Sequence, residues 1–152
     1  MKSILNKVLL VLALSGSGRS ADITTSGDWV TTVTAANLVA GAGSDLQAQF
    51  ESISGVTTLT IFNTAEAWSL RARRSGSQWD GAVTVYVKRT SNGSGSGNIS
   101  GGNAYVELSG TDGEIFSGSG NRSAISLQFK LTGLSKTVSP ATYLSSIIFT
   151  VQ

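Results

Sequence analysis

The side chains able to do chemistry are few and scattered. The chain contains no histidine and no cysteine, which excludes a Cys/His zinc site, a disulfide, a cysteine nucleophile and a Ser-His-Asp triad. Carboxylate, lysine and tyrosine chemistry remain. Asp22, Asp28, Asp45, Asp80, Asp112 and Glu114 are scattered along the sequence, and Asp112-Gly113-Glu114 is too sparse for a calcium loop. No two carboxylates are spaced as the facing pair that a glycosidase needs. Gly-Ser-Gly-Ser-Gly at 93–97 has no following lysine and no helix start, so it reads as a loop rather than a phosphate cradle. The expectation is a protein that is not an enzyme and carries no metal or cofactor.

Binding chemistry is better represented. Arg71, Arg73, Arg74, Lys88 and Arg89 are concentrated within twenty residues. If the strands that carry them pair as a hairpin, Arg71, Arg73 and Lys88 share a solvent face near Tyr86, a surface suited to an anionic glycan or an acidic segment. The bland alternative is a solvated strand face that discourages edge aggregation. Of the three tryptophans, Trp68 alternates with core positions, whereas Trp79, beside a turn, is the candidate for stacking on a sugar. Asn92-Gly-Ser94, Asn98-Ile-Ser100 and Asn121-Arg-Ser123 fit the N-glycosylation pattern.

The elements that must position these groups are strands. Ile125, Leu127, Phe129 and Leu131 alternate with Ser126, Gln128, Lys130 and Thr132, the period-2 pattern of a strand with one buried face. Residues 143–151 (Tyr-Leu-Ser-Ser-Ile-Ile-Phe-Thr-Val) are rich in β-branched and aromatic residues and apolar on both sides, which predicts a strand needing cover or an edge open to another chain. Further strands are predicted at 29–35, 56–63, 68–73, 78–89 and 104–108. Residues 45–54 fit a strand on Leu46, Ala48 and Phe50 and equally a helical turn on Leu46, Phe50 and Ile53. Residues 91–102 and 109–123 read as flexible Gly/Ser loops, the first removable without loss of the fold and the second interrupted by Ile115 and Phe116.

Eighteen glycines among 152 residues, with 13% charged and 40% hydrophobic residues, describe one all-β domain with many turns. Seven or eight strands predict an immunoglobulin-like or jelly-roll β-sandwich. Residues 1–20 have the pattern of a secretion signal: Lys2 and Lys7, then the apolar run 8–14, then the small residues 15–20. Loss of that segment takes Lys2, Lys7 and Arg19 and no acid, so the net charge falls from +2 to about −1. A nucleic-acid partner or stable membrane insertion is therefore not expected. The predicted organisation is a signal at 1–20, an N-terminal arm at 21–39 and a sandwich at 40–152.

Residues 138–143 (Val-Ser-Pro-Ala-Thr-Tyr), leading into Ile147-Ile-Phe-Thr-Val151, resemble the last hairpin of secreted bacterial pilins and spore-coat-U-like subunits. The resemblance implies an immunoglobulin-like fold and homopolymerisation by donor-strand complementation. The chain departs from the pattern in lacking the cysteines that form a disulfide in many relatives. On this reading the protein is a secreted structural subunit of a filament or surface layer. The 22–35 arm adds to a neighbour through Ile23, Trp29 and Val33, and the acceptor groove borders Tyr143, Ile147 and Phe149. The alternative is a secreted carbohydrate-binding or adhesin module using Arg71, Arg73, Trp79, Tyr86 and Lys88 against a surface glycan.

Overall fold

The computed structural model describes residues 4–10, 21–76, 81–139 and 141–152. Among them the chain forms thirteen strands: β1 (Ile4–Leu10), β2 (Asp22–Ser26), β3 (Trp29–Val33), β4 (Gln49–Glu51), β5 (Thr57–Phe62), β6 (Ala67–Ser75), β7 (Thr84–Arg89), β8 (Ser94–Gly95), β9 (Ile99–Gly101), β10 (Val106–Glu107), β11 (Gly113–Ser119), β12 (Arg122–Thr132) and β13 (Tyr143–Val151). They build two facing sheets. The first has the order β3-β1-β13-β6-β11-β9; the second has the order β10-β7-β12-β5-β2, with β4 and β8 also paired to β12. The all-β sandwich expected from the sequence is the fold observed.

Alternation decides what each strand buries. Along β12, Ile125, Leu127, Phe129 and Leu131 point into the core while the residues between them are half-exposed, and β7 repeats the pattern with Val85 and Val87. From the first sheet Trp68, Leu70 and Ala72 of β6 and Ile147, Phe149 and Val151 of β13 face them. Each large side chain so buried contributes about 1.5–3 kcal/mol. Trp29 stacks on Phe129 across the sandwich at 6.3 Å between ring centroids, and Trp68 meets Phe116 edge-on at 6.2 Å. The Trp68 indole N–H donates to the Gly120 carbonyl at 2.9 Å, which satisfies its buried polar atom.

Several expectations are corrected. Strands β6 and β7 do not form a hairpin: β6 pairs with β11 and β13, and β7 with β12 and β10, in opposite sheets. Residues 76–83 separate them, longer than the two- to five-residue loop of a hairpin, and each strand supplies one wall of the core instead. The 91–102 segment is a strap that crosses from the second sheet to the first, pairing through β8 with β12 and through β9 with β11. The second Gly/Ser region contains the regular strand β11. A bulge between Glu114 and Phe116 breaks the alternation there, so the successive Ile115 and Phe116 both turn inward.

The 21–39 segment is no free arm. Strand β2 pairs with β5 in the second sheet, β3 pairs with β1 in the first, and a 3-10 turn (Ala35–Asn37) follows. Of residues 45–54 only Gln49–Glu51 is a strand, with Leu38 and Leu46 joined by an isolated bridge. Strand β13 lies inside its sheet, between β1 and β6.

Candidate assembly slot and aromatic face

Two places in this frame concentrate features that the core does not explain. The first is the position of β1. It runs antiparallel to β3, with Ile4 opposite Val33 and Val8 opposite Trp29, and parallel to β13, with Asn6 beside Tyr143 and Leu10 beside Ile147. Among the described residues, strand β3 reaches the rest of the first sheet only through β1. Thus a single strand, drawn from the segment with the pattern of a secretion signal, occupies a position one strand wide between β3 and β13.

The expected partner-binding residues distribute around this position. Trp29 and Val33 line it from β3, Tyr143 and Ile147 from β13, and all four side chains are buried. The Tyr143 hydroxyl donates to the Ser139 carbonyl at 2.6 Å, fixing the entry to β13. Phe149 lies farther along, beyond the register of β1, opposite Ala72. Ile23 is not at the slot; it sits on β2, opposite Ile61 at the edge of the second sheet. On the outer side of β3 is an open cleft of about 440 Å³ lined by Asp28, Trp29, Val30, Glu51, Ser52, Ile53 and Val56. Val30 and Ile53 are 45% and 76% exposed there.

The second place is the outer face of the second sheet. The basic residues expected to share one surface are divided by the thickness of the sandwich. Arg71 and Arg73 lie outside the first sheet, where Arg71 donates to the Asp112 carbonyl at 3.0 Å and Arg73 forms an exposed 3.8 Å ion pair with the Asp112 carboxylate. Such a pair is worth under about 1 kcal/mol. Tyr86 and Lys88 lie outside the second sheet, on β7. Trp79 lies outside the described residues.

What joins Tyr86 and Lys88 was not apparent from the sequence. Register aligns Glu107, Tyr86, Lys130 and Glu51 in one row across β10, β7, β12 and β4, and extends to set Tyr105 beside Lys88. The Lys88 and Lys130 amines each sit 4.4 Å from the Tyr105 ring centroid, and Lys130 is also 4.8 Å from that of Tyr86. Lys130 was visible as an outward residue of β12; its neighbours are set by strand pairing.

Burial, and then the Glu51 charge, push the Tyr105 hydroxyl up to about 12. Its oxygen is shielded from water and makes no hydrogen bond of normal geometry. Because the folded state holds this proton more tightly than the unfolded chain, whose tyrosines ionise near 10, stability falls as pH rises from roughly 10 to 12. Chemical denaturation at pH 9 and pH 11 is expected to show a loss for the native chain and a smaller one for Tyr105→Phe; equal losses would place the alkaline sensitivity elsewhere.

No protein-family model matches the chain, and no curated protein matches it in sequence.

Proposed function

We propose that the protein is a structural subunit of an extracellular filament or surface layer, joined to its neighbours by addition of an N-terminal strand at the slot between β3 and β13. The observation that carries this reading is that β1 alone completes the first sheet and comes from residues 4–10, within the signal-like segment. Processing near residue 20 then opens a gap flanked by two strand edges and by buried Trp29, Val33, Tyr143 and Ile147. A strand from another copy supplies the missing main-chain hydrogen bonds and puts alternate side chains in the pockets.

The donor is β2. It is an edge strand held by β5 alone, its only fully buried side chain is Ile23, and its five residues equal in number the five β13 positions that β1 covers. Trp29 and Val33 remain as walls of the acceptor. Giving a strand on one side and receiving one on another is a heterologous contact, which propagates as an open chain of subunits. The exposed Val30 and Ile53 beside β3 supply apolar surface for the abutting neighbour. In this reading the protein is secreted and its partner is itself.

A chain beginning at residue 21 tests the proposal. The expected result is a ladder of oligomers or fibres by light scattering and negative-stain microscopy, abolished by Ile23→Asp, which puts a charge where a buried plug is needed. A residue-21 chain that remains a stable monomer at high concentration would sink the proposal.

A further inference from the structure

The outer face of the second sheet lies away from the slot and has no role in strand addition. Its two lysines are held in an unusual way: among the described residues neither has a carboxylate within ion-pair distance, and both pack on tyrosine rings. Both amines lie 4.4 Å from the same Tyr105 centroid, so they are at most twice that distance apart. With small adjustments of their stems the two oxygens of one carboxylate can reach both. Tyr86, half-buried beside them, supplies an aromatic surface of the kind that packs against the C–H face of a sugar ring.

Glu51 and Glu107 stand at opposite ends of the row that contains Tyr86 and Lys130, and both are exposed. They repel negative charge placed beyond the lysines and offer acceptors to hydroxyl groups. This arrangement favours one anionic group in the middle of an otherwise neutral, hydroxyl-rich ligand. It disfavours a dense polyanion.

We infer that Tyr86, Tyr105, Lys88 and Lys130 form a binding face for an acidic saccharide bearing one carboxylate per sugar, a uronate. The lysines take the carboxylate, Tyr86 takes the ring, and Tyr105 holds the two amines together. Glu51 and Glu107 select against sulfated chains of high charge density. The site uses two residues already expected to contact a glycan, Tyr86 and Lys88, and replaces Arg71 and Arg73 by Tyr105 and Lys130.

The test is titration of the native chain with a trigalacturonate by calorimetry and by amide chemical shifts. The controls are the methyl-esterified trisaccharide, which keeps the rings without the charge, and a heparin tetrasaccharide. The expected result is salt-sensitive binding of trigalacturonate with shifts on β7, β10 and β12, at least tenfold weaker binding of the ester and of heparin, and at least tenfold weaker binding to Lys88→Gln/Lys130→Gln at unchanged melting temperature. Absence of binding, equal binding of the ester, stronger binding of heparin, or full affinity in the double variant would each overturn the assignment. Should the double variant melt early, the ester comparison on the native chain still decides.

Discussion

Trp29→Ala is expected to lower the unfolding free energy by about 3–5 kcal/mol, the range for removing a large buried aromatic side chain. The indole is 6% exposed and stacks on Phe129 of the opposite sheet. The site matters beyond its area, because β3 has one pairing partner, β1, and is otherwise anchored by Trp29 and Val33 alone among its buried side chains. Without the stack, the wall of the slot loosens along with the core. Trp29→Phe keeps a ring in contact with Phe129 and is expected to cost less than half as much. Urea denaturation followed by circular dichroism measures both. A loss below about 1 kcal/mol for the alanine variant, the size of an ordinary surface change, would show that β3 is held by something other than this stack.

Replacing residues 91–102 by Asn-Gly is expected to lower the unfolding free energy by about 3–5 kcal/mol, although composition alone describes a dispensable loop. The strap carries β8 and β9, which pair with β12 in the second sheet and β11 in the first, and its base is closed by the Arg89 N–H donating to the Gly102 carbonyl at 2.6 Å, so excision removes pairing rather than a bridge. It also satisfies Arg89, which is only 5% exposed and enters the core beneath it. The Arg89 guanidinium donates to the Gly101 carbonyl from Nε at 3.0 Å and from Nη2 at 2.7 Å, and to the Asn92 side chain. Burial, and then the charge of Arg122, lower its pKa, the signature of a cation with backbone and amide acceptors in place of a carboxylate. Excision leaves that charge buried and unpaired, a cost of about 3–5 kcal/mol, against a total stability of roughly 5–15 kcal/mol for a domain. A milder version is Gly95→Ala. Gly95 has φ +140°, and a Cβ there would collide with the Asn121 carbonyl. Thermal melting of both variants is the measurement; a shortened strap that melts within a few degrees of the native chain would mean that Arg89 finds other partners.

The strands were legible where one face is buried and the other wet. In β12 the apolar residues from Ile125 to Leu131 fall on every second position and burial follows the same beat; in β5, β7 and β13 burial keeps that beat although Phe62, Leu144 and Ile148 are apolar on the other face and Thr57, Arg89 and Ser145 are buried. Alternation says which side of a strand turns inward but not which strand lies beside it, and this is why β6 and β7 read as neighbours when they lie in opposite sheets. The same gap hid the aromatic face. Tyr86 and Lys88 could be placed outward from β7 alone, whereas Tyr105 and Lys130 join them only through the register of β10 and β12. Glycine and serine misled for a different reason. In the strap they permit backbone to lie directly on backbone, as at Gly93 against the Ser123 carbonyl, a role that looks like flexibility when only composition is seen.

Strand β12 has a consequence for the order of events during synthesis. It pairs with β4, β5, β7 and β8, so the second sheet has no centre until residues 122–132 exist, and the first sheet waits longer still for β13 between β1 and β6. A chain made from its N-terminus can pair β2 with β5, β6 with β11 and β7 with β10 before that point, but neither sheet closes until these last strands arrive, and the closing contacts span long loops.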